Sequence, residues 1–459
     1  MPRFATKRPG RGIGVAGALA FATLLLADGL ASASAPAGPA ASRGPDFVRD
    51  EVVVGRRGGG ERVVELERGT RPAEAIRRLA ARPGVAYAAR NWIATAAVEP
   101  IDGGTSMTPG GWIDDQWNFL GGAGGIRALP AWKRADDAGR PGGEDVTVAV
   151  VDTGVAYTDH GSFAISPGFT GETEFAPGRD FIDGDLLPLD ENGHGTHIAG
   201  TIAEQVNLEG SPLPPDGRDY LTGIAYGATL MPVRVLDAAG TGTAADVSRG
   251  IRWAAKRGAD IINLSLQVSS TVRRCPQIRN VCRAIRDARK EGALVIAAAG
   301  NSVGAQRPVA FPAAAPGVVA VGASTESGCL AAYSHRSRRL DLLAPGGGVA
   351  MSSVARRRCR DDDAPIRQVS LACFGGTGPC SDFTEFGIRS TRGTSMAAAH
   401  VSGVAALARA TRAAGANPGP GRLRNWLRCT ARPLGRPRFH GFGRLDAGRA
   451  TRDRPPARC

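Results

Sequence analysis

Residues 146–155 read VTVAVVDTGV, and this stretch decides the fold. Residues 146–151 form a continuous apolar run, which is typical of a central strand buried on both faces of a parallel sheet. Asp152 follows directly, and open α/β sheets bind their ligands at the carboxyl ends of strands. A turn or helix cap explains an Asp-Thr-Gly equally well on its own. The stretch therefore predicts a central strand with a candidate functional carboxylate at its end.

Strand and helix patterns alternate along the rest of the chain. Further buried strands are predicted at 230–236, 260–266, 293–299 and 318–321. Helices are predicted at 244–257, 281–291 and 395–411. No internal repeat interrupts this order. The alternation predicts an α/β fold with a mostly parallel sheet and helices on both faces.

A histidine between glycines stands in residues 192–204, NGHGTHIAGTIAE. His194 opens an apolar helix, a poor position for core packing and a good one for a functional site. His197 shares its helix face, but an HxxH pair without the glutamate of HExxH or an evident third ligand is weak evidence for a metal. We therefore predict a functional His194 and a supporting or packing role for His197.

Two more polar residues stand at the ends of apolar segments. Ser395, in RGTSMAAAHVSGVAALA (392–408), starts a helix, where backbone N–H groups and the positive helix end suit a nucleophile. A simple N-cap serine is the alternative. Asn301 ends ALVIAAAGN (293–301), where its amide can donate to a developing oxyanion, or merely form a turn. Together with Asp152 and His194, these residues predict a complete nucleophilic site.

Seven segments resemble, in order, the signatures of the subtilisin-like serine peptidases. They span about residues 112–450 and read VAVVDTGV, NGHGTHIAGTIA, LMPVRVLDAAGTGT, IINLSL, AAAGN, DLLAPGG and GTSMAAAHVSG. The order Asp, His, Ser also separates the chain from α/β-hydrolases. The resemblance implies that Asp152 orients His194, which takes the proton of Ser395. It implies Asn301 and the Ser395 N–H as the oxyanion donors, and a serine endopeptidase that needs no cofactor for its chemistry.

The same resemblance implies a cleft in which strands pair with an extended polypeptide substrate. The residues concerned are Gly240, Thr241, Gly242, Ser265, Leu266, Gln267, Ala299 and Gly300. Where the family often reads SLGG, this chain has Gln267 and Val268 in place of the two glycines. The substrate preference therefore stays open. A narrowly specific maturation factor, or a non-catalytic binding module on the same fold, remains the alternative function.

The N-terminal quarter of the sequence predicts segments that are removed from the mature protein. Residues 1–33 combine a basic start, an apolar run and an Ala-Ser-Ala site, which is typical of an export signal. Residues 34–99 hold a linker and a small α+β block that resembles a subtilisin propeptide, implying a folding chaperone and intramolecular inhibitor. Residues 100–111 are expected to be a linker with the processing region, and residues 112–459 the catalytic domain. The protein is thus expected to be secreted or periplasmic, and a monomer.

Secondary structure in that block follows from shorter patterns. Strands are predicted at 51–55, 62–66 and 85–95, with a helix at 70–82 that Thr70 would cap. About fifty residues bury little core alone, so the block is expected to lean on the larger domain.

Composition excludes other function classes. The net charge is +14, but the many arginines are spread along the chain and aromatics make up only 5% of it, so no nucleic-acid site is expected. No stretch after the signal approaches the ~20 apolar residues of a membrane anchor.

All eight cysteines lie beyond residue 270, and an even number in an exported chain predicts disulfides. Zinc is disfavoured, because the chain has no CxxC pair and only six histidines. Residues 351–392 are expected to form a long, Cys-rich loop. Several pairings are open, among them the plausible Cys275–Cys282, Cys373–Cys380 and Cys429–Cys459.

An acidic loop precedes His194 in RDFIDGDLLPLDENGHG. Asp180, Asp183 and Asp185 offer the hard oxygen ligands that suit structural Ca²⁺, although an ordinary acidic turn would read the same.

Overall fold

A computed structural model of the chain describes residues 46–96, 115–169, 173–205, 221–302, 307–351, 359, 364–376, 380–435 and 437–452. The predicted export signal and the predicted processing linker at 100–111 lie outside these ranges. We call residues 46–96 the N-terminal block and the described residues from 115 onward the main domain.

The N-terminal block is a three-stranded antiparallel sheet, ordered β2-β1-β3, with one helix packed on it. Its elements are β1 (Phe47–Arg56), β2 (Glu61–Glu65), α1 (Pro72–Ala80) and β3 (Val85–Ala96). The prediction of Thr70 as helix cap was wrong, because α1 begins after Arg71 with no side-chain cap. A proline with its fixed φ stands at the first helical position instead.

The strands of the main domain are β4 (Thr147–Asp152), β5 (Arg179–Asp180), β6 (Thr229–Arg234), β7 (Thr241–Thr243), β8 (Ile261–Leu264), β9 (Leu266–Val268), β10 (Leu294–Ala298), β11 (Val319–Ser324), β12 (Leu342–Pro345), β13 (Ile366–Leu371) and β14 (Phe386–Thr391). Seven of them form a central sheet in the order β12-β11-β10-β8-β4-β6-β5. Every neighbouring pair in that sheet is parallel, as predicted.

Helices cover both faces of this sheet. They are α2 (Leu129–Asp137), α3 (His194–Ala203), α4 (Ala244–Lys256), α5 (Arg279–Lys290), α6 (Thr394–Ala410), α7 (Pro420–Thr430), α8 (Pro437–His440) and α9 (Ala447–Ala450). Side chains alternate along β4, so Val148 and Val150 join the core with α2, α3, α6 and α7. Ala149 and Val151 join the opposite core with α4 and α5. The predicted α/β class is therefore confirmed.

The predicted strand 260–266 is in fact two strands, β8 and β9, divided at Ser265. The reason is a contact with the start of α6. The hydroxyl of Ser265 donates to the carbonyl of Ser395 at 2.9 Å, and its own carbonyl accepts from the Ser395 hydroxyl at 2.9 Å. The backbone thus leaves the sheet where it meets the candidate nucleophile.

The Cys-rich segment contains an antiparallel hairpin, β13–β14, rather than the expected loop alone. Disulfides join Cys275–Cys282, Cys329–Cys359 and Cys373–Cys380. The two local pairings are therefore confirmed. Cys429 is also disulfide-bonded, and its predicted partner Cys459 lies outside the described residues. None of the described helices is long and apolar enough to cross a membrane.

Candidate active site

Asp152 and His194 meet at the carboxyl edge of the sheet. Asp152 is the last residue of β4 and His194 the first of α3, and both are fully buried. The Nδ1 atom of His194 lies 2.6 Å from Oδ1 of Asp152, which also accepts the N–H of Thr153 at 2.8 Å. The carboxylate therefore holds the imidazole through Nδ1 and leaves Nε2, which has no hydrogen-bond partner, for proton transfer.

Ser395 is the second residue of α6 and is fully buried. Its Oγ donates to the carbonyl of Ser265, and its hydrogen bond to His194 Nε2 is not formed. Catalytic hydrogen bonds often form only once substrate is bound. The helices that carry the two residues, α3 and α6, pack against each other.

The amide of Asn301 is held in one orientation by the start of α6. Its Oδ1 accepts the backbone N–H of Thr394 at 3.1 Å and the Thr394 hydroxyl at 2.9 Å. These bonds fix the orientation of the amide, so that Nδ2 points elsewhere. Nδ2 is buried and has no partner. A buried, unpaired donor beside a nucleophile is what a developing oxyanion requires.

Asp190 positions the loop before His194, and the sequence reasoning missed it. Its Oδ1 accepts the N–H groups of Asn192 and Gly193 at 3.0 and 2.9 Å and the hydroxyl of Thr153 at 2.9 Å. Its Oδ2 accepts the N–H and the hydroxyl of Thr196 at 2.9 and 2.6 Å. The signal was an Asp just before an Asn-Gly turn and a helix start.

The β13–β14 hairpin supports the histidine from the other side, which the sequence also did not reveal. The ring of Phe374 lies edge-on to His194, with centroids 6.0 Å apart. The Ser370 hydroxyl donates to the carbonyl of Gly193 at 2.5 Å. Gly193 has φ 94° and lies so close to the hairpin that an added Cβ would be 2.6 Å from the Phe374 Cβ. Only glycine fits this turn.

His197 is fully buried one turn after His194. Burial lowers its pKa to about 3, so the ring is neutral. Its Nε2 lies 3.3 Å from the carbonyl of Arg389 in β14. This environment suits the supporting role that we predicted.

The predicted substrate cleft is occupied by the end of β3. Ala94 pairs with Gly242 on one side and Val268 on the other, both antiparallel. Further along β3, Thr95 pairs with Gln267, and the N–H of Ala96 donates to the carbonyl of Gly240 at 3.0 Å. Ala96 also pairs with Leu266, one residue from Ser265. The strand therefore lies as an extended polypeptide would.

The remaining two predicted cleft residues, Ala299 and Gly300, directly precede Asn301 in the chain. The carbonyl of Ala299 accepts the N–H of Ala310 at 2.8 Å, and that of Gly300 accepts the N–H of His335 at 2.9 Å. Gly300 has φ 102°, and its N–H donates to the Thr394 hydroxyl at 3.1 Å.

The three aspartates proposed for calcium do not converge on an open site. Arg234 Nη1 lies 2.9 Å from Asp180 and 2.6 Å from Asp183, and its Nη2 contacts Glu191. Asp185 instead accepts the N–H of Leu187. Among the described residues, no group of three or more His, Cys, Asp or Glu is arranged to hold a metal. As arranged, this loop does not fit Ca²⁺, because the guanidinium takes the position of the cation.

A buried Asp–His pair, a serine at a helix start and an unpaired amide donor together suit acyl transfer to serine. A cleft whose strands pair with the extended end of β3 suits a polypeptide. By its fold and site, this molecule is of the serine peptidase class.

Comparison with known proteins gives the family. A sequence profile of the subtilase family matches residues 143–443, and the chain belongs to this family of serine endopeptidases. It is 33% identical to M-protease of Shouchella clausii over 68% of this chain and 65% of that protein. It is 32% identical to Subtilisin Savinase of Lederbergia lenta over 68% of this chain and 92% of that protein.

A solved structure agrees with this assignment. A protease from Pseudoalteromonas arctica PAMC 21717 superposes with a TM-score of 0.56 at 29% sequence identity, covering 74% of this chain and 96% of that one.

Proposed function

We propose that this chain is the precursor of an exported serine endopeptidase that removes its own N-terminal block. The observation that carries the proposal is the register of β3 in the cleft. Ala96 pairs with Leu266, the first residue of β9. The carbonyl of the preceding residue, Ser265, lies 2.9 Å from Ser395 Oγ. A polypeptide in this register presents its next carbonyl to the nucleophile.

The chemistry follows from the side chains at that point. Ser395 turns from the Ser265 carbonyl to His194, which takes its proton as Oγ attacks the substrate carbonyl. The tetrahedral oxyanion accepts hydrogen bonds from Asn301 Nδ2 and the N–H of Ser395.

The intermediate then collapses. The C–N bond breaks, and the amine leaves with the proton from His194, while the acyl group stays on Ser395. Water attacks this ester in the same way and gives its proton to His194, so the acid leaves and the serine regains its proton. Asp152 stabilises the imidazolium throughout.

The register also proposes a processing site. If the antiparallel register of Ala96 with Leu266 continues by one residue, the next residue of the chain is the one presented to Ser395, so we expect the first cleavage to break the Ala97–Val98 bond. Residues 46–97 would then be the propeptide. The proposed bond lies two residues before 100–111, the processing region expected from the sequence.

Contacts of the N-terminal block support its proposed role as inhibitor. Glu61, nearly buried, accepts from the Tyr87 hydroxyl at 2.7 Å and pairs with Arg252 of α4 at 3.1 Å. Asn91 Oδ1 accepts the N–H of Ala245 at 3.1 Å, satisfying a free donor in the first turn of α4. While bound, the block fills the cleft and excludes other polypeptides.

Export through residues 1–33 and a monomeric mature enzyme complete the proposal. The three disulfides between described cysteines support an oxidising location for the protein.

The test is purification of the wild-type precursor and of Ser395→Ala, followed by gel analysis and N-terminal sequencing. We expect wild type to convert to a species that begins at Val98 and cleaves casein, and Ser395→Ala to stay full length. A wild-type precursor that remains intact and cleaves no peptide would favour the non-catalytic binding module.

A further inference from the structure

Gln267 crosses the space beside the oxyanion site. Its backbone lies in β9 and its side chain reaches the segment that carries Asn301, where Oε1 accepts the backbone N–H of Asn301 at 3.1 Å. The side chain thus connects two walls of the cleft. A glycine, which the family often has at this position, would leave that space open.

The space next to Gly300 is filled from three sides. A Cβ added to Gly300 would lie 2.6 Å from Gln267 Oε1, 2.6 Å from His335 Nδ1 and 3.0 Å from the Cβ of Ala310. His335 is buried, and burial lowers its pKa to about 4, so it contributes a neutral ring. Three different segments therefore close around one point.

A substrate must place a side chain in this region. We call the residue whose carbonyl is attacked the acyl residue. It faces Ser265 and directs its carbonyl to the amide of Asn301. Its own side chain must then enter between β9 and residues 299–301, which is the space that Gln267 spans.

We propose that Gln267 closes the pocket for the acyl residue, so that the enzyme cleaves after small residues (alanine, glycine or serine) and rejects large apolar or aromatic ones. This inference rests on the proposed peptidase function and goes beyond it by naming the substrate class. Ala310 and His335 border the same point beside Gly300.

The chain's own sequence is consistent with such a preference. The proposed acyl residue of the precursor is Ala97, in the sequence Ala94-Thr95-Ala96-Ala97. Ala94 is fully buried. Ala96 lies close to Gly240, because a Cβ added to Gly240 would be 3.7 Å from the Cβ of Ala96. The cleft is therefore occupied by small side chains where the chain binds to itself.

The first test measures kcat/KM of processed enzyme on Ala-Thr-Ala-X p-nitroanilides, with X as Ala, Leu or Phe. We expect wild type to prefer Ala to Phe by roughly 100-fold, since a closed apolar pocket discriminates about 10- to 200-fold for each methylene. Gln267→Ala should raise the Phe/Ala ratio at least about 10-fold. Val272→Ala is the control, because Val272 follows β9 in the same apolar core and should leave the ratio unchanged.

The second test uses the whole precursor. Ala97→Phe should slow self-processing at least about 10-fold, and adding Gln267→Ala should restore most of the rate. Equal cleavage after Ala and Phe by wild type, or a Phe/Ala ratio that Gln267→Ala leaves unchanged, overturns the proposal. No hydrolysis of any substrate and no processing of wild type would instead refute the peptidase function.

Discussion

The N-terminal block and the main domain bury apolar surface in different ways. The main domain has a sheet with large cores on both faces, each completed by its own helices. The block has α1 on one face of its sheet, where the core consists of Val52, Val54, Ala75, Leu79 and Ala88. Its other face packs Val53, Tyr87 and Ala89 on Ala245 of the main domain. The block therefore borrows its second layer from the enzyme that it is proposed to inhibit.

Under the proposed function, this difference would let the two regions act together before cleavage and separate after it. A sheet covered on one face gains too little from burial to offset its conformational entropy alone. Once its covalent link is broken, the block remains folded only while it stays bound. The main domain does not depend on it in this way, because both of its faces are already covered.

The largest expected effect is on peptidase activity and on cleavage of the chain between the N-terminal block and the main domain. Ser395→Ala should lower peptidase activity by roughly 10⁶-fold, since the nucleophile is lost and only binding and oxyanion stabilisation remain. Uncut precursor should accumulate, and a gel with a casein assay measures both. Circular dichroism serves as the folding control. A precursor that still processes at the wild-type rate would place the nucleophile elsewhere.

The main domain's chemistry can be weakened without touching the block. Asn301→Ala removes the unpaired Nδ2 donor and should lower kcat about 10²- to 10³-fold, with KM changed far less. Steady-state kinetics on a peptide anilide separates the two constants. A loss that falls on KM alone would mean that Asn301 binds substrate instead of stabilising the oxyanion.

The N-terminal block should not fold stably without the main domain. We expect residues 46–97, as a separate peptide, to be less than half folded by circular dichroism, and to fold when an equimolar amount of processed wild-type enzyme is added. The physical reason is the missing layer at Ala245. A cooperative thermal transition of the free peptide would show that the borrowed surface is dispensable.

One ion pair should control how tightly the block binds. Glu61→Gln breaks the nearly buried pair with Arg252 and should weaken inhibition by the added block roughly 30-fold or more. Glu65→Gln on the same strand is the matched control, because Glu65 is exposed. An inhibition constant that is equal for both variants would assign the affinity to the apolar contacts.

The last expected effect is on stability instead of activity, and it is a pH dependence within the main domain. Glu204 is buried, neither carboxyl oxygen has a partner, and burial raises its pKa well above the usual value. The folded state therefore keeps a proton that the unfolded chain releases near pH 4.5. The free energy of unfolding should therefore fall by about 1.4 kcal/mol for each unit by which the pH rises between the unfolded and the folded pKa.

Glu204→Gln removes this titration and keeps the side-chain shape. Its free energy of unfolding relative to wild type should rise from pH 5 to pH 8, as urea unfolding would measure. An unchanged difference across that range would show that the carboxyl finds a partner in solution. Exposed Glu291→Gln is the control.

Much of the site was predictable from local pattern. Asp152, His194 and Ser395 stand at strand ends or helix starts, and the run of small and apolar residues beside each makes those positions recognisable. Asp190 and Phe374 were not predictable, because their roles depend on residues that lie near them only after folding. The acidic loop shows the same dependence: Arg234, which pairs with Asp180 and Asp183, is some fifty residues away in the chain.

The α/β class and the family signatures can be read from the amino-acid sequence alone, since periodicity and turn signals are local properties of a chain. The tertiary structure decided which surfaces these residues share. The register of Ala96 against Leu266, the hairpin against His194 and the reach of Gln267 to Asn301 all join segments distant in sequence. Such contacts depend on where whole strands lie, and no local pattern carries that information.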